Sequence, residues 1–150
     1  MENLLSAVTA KLAEAPSIQY SDENWGQLLY YGKDCPVKWP CGLVDFTTGQ
    51  FSNIGSDYRQ SPEMRQQGTI FLEITIANLK LTNSSVKAPL NQKQKAFEIL
   101  AIVEDVHKVL QGFRPLDNSG AMVRTSIQTV KRDDGVQEKR VIYSVGLNDC

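Results

Sequence analysis

The sequence contains few of the residues that most kinds of functional site require. It has one histidine and three cysteines in 150 residues, and 16 Lys and Arg residues are balanced by 17 Asp and Glu residues. The formal net charge of -1 gives no overall electrostatic reason to expect nucleic acid or an anionic membrane as a partner. No apolar run of about 18 residues is present, so no transmembrane helix is predicted.

The three cysteines do not form a recognisable disulfide or metal pattern. Cys35, Cys41 and Cys150 make an odd set, whereas disulfide frameworks usually have even numbers at higher density. The C-x5-C spacing does not match a zinc site, and His107 alone could not complete one. We therefore interpret them as reduced structural thiols and predict neither a metal site nor a cofactor. The first 16 residues lack the basic start of a secretory signal, so synthesis in a cytoplasm is expected.

No catalytic set is recognisable. The sequence has no G-x-x-x-x-G-K-[ST] loop, no G-x-G-x-x-G and no G-x-S-x-G turn. His107 is the only candidate base and lies on a predicted helix beside its apolar stripe. The acidic pairs 104–105 and 133–134 do not naturally face a single bond. We expect no catalytic residues and no enzyme. Glu73 is the one acid expected to be partly buried, with Arg124 or Arg140 as its partner.

Hydrophobic periodicity predicts two helices. The first covers residues 2–14 and ends before Pro16, and its apolar stripe contains Leu4, Leu5, Val8 and Leu12. The second covers residues 91–111, from a capping Asn91 to Gly112. Its stripe contains Phe97, Leu100, Val103, Val106 and Leu110, widened by Ala96, Ile99 and Val109.

Alternating patterns predict the strands. The central strand, 68–81, directs Ile70, Leu72, Ile74 and Ile76 to the core. Short strands at 42–48 and 51–54 are separated by a predicted turn at 48–50. Around a hairpin turn at 133–135, the predicted faces contain Val123, Thr125, Ile127 and Thr129, and then Val141, Tyr143, Val145 and Leu147. The fold class is therefore α+β, in one domain covering residues 1–150. A single small mixed or mainly antiparallel sheet has two helices on one face and a C-terminal β-hairpin.

Two segments are candidates for contacts with other molecules. Residues 55–67 are polar and longer than an ordinary connection, which predicts a mobile loop or an extended hairpin tip. The candidate subunit or partner interface within this segment consists of Tyr58, Arg59, Gln60, Arg65 and Gln66. Residues 25–39 are rich in aromatics, which either line a small-ligand pocket or cap the open end of a core. Those aromatics are Trp25, Tyr30, Tyr31 and Trp39.

The order of these elements resembles the tail-terminator (tail-completion) proteins of long-tailed bacteriophages and prophages. In that family an N-terminal helix leads to a Pro-x-x-x-Val-like strand, matched here by Pro40–Val44. A polar stretch such as residues 65–67 precedes an alternating strand like GTIFLEITI. The long helix then ends in V-x-x-x-L-x-G, matched by Val106–Gly112, and a final alternating strand follows at 140–147.

The resemblance covers nearly the whole chain and implies a structural role without catalysis. It implies a homo-oligomeric ring, hexameric on assembly, that caps a completed tail tube and joins it to head or neck proteins. It also implies synthesis in the host cytoplasm and a final location in the virion tail. Segment 17–40 is longer and more aromatic than the family pattern. Two alternatives stay open: another phage neck or head-closure protein, and a small-ligand-binding α+β domain using the aromatics of residues 25–39.

Overall fold

A computed structural model describes residues 1–29, 37–79, 97–132 and 136–149. Within these residues the α-helices are α1 (Glu2–Leu12) and α2 (Glu98–Leu110), and a short 3-10 helix covers Gln27–Leu29. The strands are β1 (Tyr20–Glu23), β2 (Cys41–Ser56), β3 (Met64–Leu79), β4 (Val123–Val130) and β5 (Val136–Leu147). These elements confirm the predicted α+β class.

The strands form one mixed sheet in the order β1-β2-β3-β5-β4. β1 runs parallel to β2 and pairs with it only along 41–44, whereas the other three pairings are antiparallel. The β3–β5 ladder contains twelve residue pairs, from Gly68–Leu147 to Leu79–Val136. The C-terminal hairpin of β4 and β5 was predicted, but its turn at 133–135 lies outside the described residues.

Both helices pack on one face of the sheet, which we call the helix face. The predicted core residues of β3 and β5 are all buried there, together with Leu4, Val8 and Leu12 of α1. Gly42 of β2 allows α1 to lie close to the sheet, because a Cβ at this position would be 2.7 Å from Leu12 Cδ2. The core therefore contains the regular patterns that the sequence analysis identified.

The second helix differs from its prediction at its N-terminal end. Helix α2 begins at Glu98 with Phe97 as its N-cap, and residues 91–96, predicted as the start of this helix, lie outside the described residues. Phe97 and Leu100 were expected in the apolar stripe, but they are 54% and 45% exposed. The buried stripe instead contains Ile99, Ile102, Val103, Val106 and Leu110. As predicted, the helix ends before Gly112, which has a φ of +81°.

Strand β2 is continuous where the sequence predicted two short strands and a turn. Thr48, Gly49 and Gln50 do not form a turn but pair with Phe71, Ile70 and Thr69 of β3. A β-bulge between Phe46 and Thr48 absorbs one extra residue and lets the strand continue. Cross-strand pairing along sixteen residues thus overrides the local turn preference of glycine.

The second face of the sheet, which we call the outer face, has a smaller apolar cluster at one end. Leu28 of the 3-10 helix and Val37 pack there against Cys41, Leu43 and Ala77. Trp39 and Tyr20 are partly buried at its margin. The described part of the aromatic segment thus forms a second thin layer over the sheet, which the sequence pattern did not predict.

Strand β4 is an edge strand, and a bulge between Arg124 and Ser126 changes which side its residues face. Val123 pairs with Ser144 on the outer face, whereas Ile127 pairs with Val141 on the helix face. The prediction that both line a single face is therefore wrong. Both side chains are nearly half exposed, so β4 adds little to the core.

Candidate functional site

The β2–β3 hairpin extends past the end of the five-stranded sheet as a two-stranded projection. Strand β5 pairs with β3 only from Gly68 onward, so residues 52–67 have no third strand beside them among the described residues. We call residues 52–67 the arm. Residues 52–56 of β2 form one side of the arm, and five residues at about 3.4 Å each give a length of roughly 17 Å, excluding the tip. The predicted mobile loop or hairpin tip at 55–67 is thus an extended hairpin.

Three of the five candidate interface residues lie together at the tip of the arm. Tyr58 is 85% exposed, and Arg59 and Gln60 are also exposed. Asp57 holds this turn in place: its carboxylate accepts the Arg59 N–H at 3.0 Å and the Gln60 Nε2 at 3.1 Å. The backbone N–H of Asp57 also donates to the Glu63 carbonyl oxygen at 2.8 Å. The turn is therefore hydrogen-bonded internally while the Tyr58 ring projects into solvent.

The other two candidate interface residues brace the shaft of the arm. Arg65 forms an ion pair with the Asp149 carboxylate, and its Nη2 donates to the Asp149 carbonyl oxygen at 2.7 Å. Gln66 Nε2 donates to Asn53 Oδ1 at 3.0 Å across the hairpin. The five residues therefore divide into a tip group, 58–60, and a bracing pair, 65–66. Sequence reasoning could not pair Arg65 with a residue 84 positions away.

An aromatic ring lies over a glycine at the root of the arm. Phe51 pairs with Gly68, and a Cβ at Gly68 would be 2.3 Å from Phe51 Cδ1. Beside this pair is an open cavity of about 780 Å³, bounded on its other side by residues 117–120 and 146–148. Arg114 and Asp117 supply its charged groups, and its lining mixes polar and apolar atoms. The cavity therefore lies at the root of the arm, beside the C-terminal end of β5.

The outer face carries an ionic network that extends the predicted Glu73–Arg140 pair. Arg140 Nε is 3.9 Å from Glu73 Oε1, and its Nη2 is 3.3 Å from Glu138 Oε2. Glu138 is only 3% exposed, so the expectation that Glu73 is the one partly buried acid is wrong. Arg132 lies 3.5 Å from Glu138 and donates to the Leu28 carbonyl oxygen at 2.6 Å. Glu138 was missed because no sequence pattern predicted the outer layer that covers it.

His107 lies at the boundary of the helix core, as its helical position predicted. Its Nδ1 is 3.2 Å from the hydroxyl of Tyr143, and the two rings stack with centroids 6.3 Å apart. Burial raises the pKa of Tyr143 to about 12, so the hydroxyl stays protonated at neutral pH. The pair links α2 to β5 and has the geometry of a core contact.

The remaining site predictions concern aromatics, metals and membranes. Tyr30, Tyr31, Cys35 and Cys150 lie outside the described residues; Trp25 is 55% exposed, and Trp39 packs on the outer-face cluster. Within residues 1–29, 37–79, 97–132 and 136–149, no group of three or more His, Cys, Asp or Glu residues could hold a metal ion. In the same ranges, no helix has the length and apolar character needed to cross a membrane.

Comparisons with known proteins include a solved structure with a low TM-score. No protein-family model and no curated protein sequence matches the chain. Among solved structures, the chain is similar to one from the virion of a native gene transfer agent (GTA) particle. The TM-score is 0.45 at 9% sequence identity, over 98% of this chain and 90% of that chain.

Proposed function

We propose that the chain is a structural assembly protein of a phage-like particle, acting as a tail terminator without catalysis. In this role it binds the end of a tail tube and presents another surface to head or neck proteins. The observation that carries the proposal is the arm, a two-stranded projection from a helix-backed sheet with an exposed tip. The order of elements, which resembles tail terminators along nearly the whole chain, supports the same role.

The tip has the chemistry of a protein-binding surface. Tyrosine and arginine are the residue types that often dominate interface energies, and Tyr58 and Arg59 stand next to each other. The hydrogen bonds of Asp57 order the turn before any partner binds. A pre-ordered turn loses less conformational entropy on binding, so more of the contact energy contributes to affinity.

The direct test is to delete the gene from the phage or prophage that carries it and to image the particles. We expect overlong tails detached from heads, because tube growth would lack its stopper. Supplying the wild-type gene in trans should restore joined particles. A Tyr58→Ala, Arg59→Ala double variant should not restore them, while Lys108→Ala, on the exposed side of α2, should. Normal joined virions after deletion would refute the proposal.

The same experiment separates the proposal from its alternatives. A neck or head-closure protein would leave tails of normal length that fail to join heads. A small-ligand-binding domain would leave particles unaffected, and its melting temperature would rise with its ligand, since a ligand that binds only the folded state stabilises it. Turnover abolished by His107→Ala would instead identify an enzyme.

A further inference from the structure

Among the residues that the structure describes, the sheet has an open edge on each side, and each open edge contains a stretch without charge or bulge. On β4, residues 126–130 follow the bulge and contain Ser, Ile, Gln, Thr and Val. On β2, residues 48–53 lie between two bulges and contain Thr, Gly, Gln, Phe, Ser and Asn. Each stretch pairs with one strand on its inner side, β5 for 126–130 and β3 for 48–53. Strand β1 covers β2 only along 41–44, and no described strand pairs with the outward side of either stretch.

Such edges are unusual in a protein that works as an isolated copy. Exposed edge strands present unpaired N–H and C=O groups, and natural proteins guard them with lysine, proline, inward charges or bulges. Here a bulge lies at each end of the β2 stretch and at the start of the β4 stretch. Within 48–53 and 126–130, however, no lysine, proline or acidic residue is present. Their side chains are mostly exposed. Both edges therefore have the properties of strands that accept another strand.

We propose that the β4 edge of one copy pairs with the β2 edge of a second copy, so that the sheet continues from copy to copy. The inference rests on the proposed function only in requiring a protein that assembles with itself. Because β4 and β2 lie on opposite sides of the sheet, the contact is head-to-tail, and repetition closes a ring or extends a filament.

The strand directions are compatible with this contact. From β2 to β4 the order β2-β3-β5-β4 alternates in direction, since all three pairings are antiparallel. A rotation about an axis along the strands preserves direction, so the next β2 runs antiparallel to β4. Antiparallel pairing gives perpendicular hydrogen bonds with short distances between facing residues.

The charges beside the two stretches favour this head-to-tail contact over pairing of two β4 strands. In the antiparallel arrangement, Lys131 after the β4 stretch lies toward Asp45 before the β2 stretch. Pairing β4 with a second β4 would instead bring Lys131 toward Arg124 of the other copy. Like charges facing each other across strands are destabilising, whereas opposite charges stabilise.

The two edge stretches are offset from each other along the strand direction, and the size of this offset agrees with a closed assembly. Across the sheet, residue 128 pairs with Arg140, Arg140 with Thr75, and Thr75 with Leu43, so residue 128 and Leu43 lie at the same position along the strands. The middle of 48–53 lies about six residues further along β2. That offset is roughly 20 Å at about 3.3 Å per residue, close to the roughly 19 Å width of four strands. The resulting strand tilt of roughly 45° is near the 35–45° found in closed barrels.

A mixing experiment tests the contact and its direction. Ile127→Lys places a charge in the β4 stretch, and Gln50→Lys places one in the β2 stretch. Sedimentation of wild-type protein should show association that increases with concentration. Each variant alone should associate at least about tenfold more weakly. An equimolar mixture should form dimers that stop growing, because one intact β4 edge meets one intact β2 edge. Ile127→Thr and Gln50→Thr are the matched controls and should behave as wild type.

The outcomes are distinct. Gln50→Lys protein that associates like wild type would show that the contact does not use the β2 stretch and would overturn the head-to-tail contact. A wild-type protein that stays monomeric at every concentration would overturn the inference, while particle imaging would still decide the proposed function. If Ile127→Lys does not fold, Lys131→Glu replaces it. Its weakened association should recover when Asp45→Lys is added to the same chain, and failure to recover counts against the contact.

Discussion

The two ends of strand β3 lie in opposite environments although they belong to one continuous strand. From Ile70 to Ile76 it has strands on both sides and helices above it, and its helix-face side chains are at most 2% exposed. From Met64 to Gln67 its one partner among the described strands is β2, and its side chains are exposed except for that of Arg65. Both ends have extended backbone, so local propensity does not separate them. Burial makes one end a core and leaves the other end available for contacts.

The largest expected effect compares the same substitution in both regions. Ile74→Ala should lower the free energy of unfolding by about 2–5 kcal/mol, since it leaves a cavity among fully buried side chains. Ile54→Ala, in the arm where the side chain is 47% exposed, should change it by less than about 0.5 kcal/mol. Urea unfolding measures both. Equal losses would mean that the arm is packed as tightly as the body.

The alkaline stability of the packed region should depend on Tyr143. Burial raises its folded-state pKa to about 12, above the ordinary value of 10.0. The stabilising contribution is fully present below pH 10 and is lost as the pH rises through 12, because the unfolded chain ionises first. The loss should be about 2–3 kcal/mol. Unfolding measured from pH 9 to 12 should show a shallower decline in Tyr143→Phe, and an unchanged slope would contradict the assignment.

The root of the arm should respond to a single methyl group. A Cβ at Gly68 would lie 2.3 Å from the Phe51 ring and 2.6 Å from the Gln50 carbonyl oxygen, so Gly68→Ala should lower the unfolding free energy by about 1–3 kcal/mol. Adding Phe51→Ala should recover part of this loss in a double-mutant cycle. Gly146→Ala is the control, because nothing lies within 4 Å of its Cβ position. Equal losses of stability in Gly68→Ala and Gly146→Ala would show that the Phe51 ring is not the cause of the loss.

The smallest expected effect on stability is at the tip. Tyr58→Ala should change the unfolding free energy by no more than about 0.5 kcal/mol, since the side chain is 85% exposed. The midpoint of thermal unfolding measures this directly. A large loss of stability would show that the ring supports the fold, and the tip would then be a poor candidate for a partner surface.

Regular periodicity made the core predictable. Alternation along β3 and β5 and the Leu4, Val8, Leu12 stripe identified their buried faces, because a two-residue or 3.6-residue period places side chains on one side. Helix α2 was predicted less well at its start, where Ile99 is buried between the exposed Phe97 and Leu100. Successive helix residues point about 100° apart, so a stripe through Ile99, Ile102 and Val106 leaves Phe97 and Leu100 on other sides of the helix. Where apolar residues occur on several sides, the pattern alone does not show which side is buried.

Features that depend on pairing partners were not predictable. The Thr48–Gln50 segment has the composition of a turn, and only its ladder with β3 keeps it extended. β1 is four residues long, too short for a pattern, and the outer layer over Glu138 has no periodicity. In the candidate site, the polar sequence of residues 55–67 predicted that residues 58–60 lie in a loop or hairpin tip. The role of Arg65 depended on Asp149, which only the folded chain brings near.

The arm is also a mechanical element. A load applied at its tip along the strand axis passes into β3, whose twelve residue pairs with β5 lie side by side across the direction of pull. Antiparallel hydrogen bonds run perpendicular to the strands, so such a load shears many of them together and does not peel them one at a time. A molecule pulled by its arm should therefore resist much greater force than the same molecule pulled apart from the β4 side.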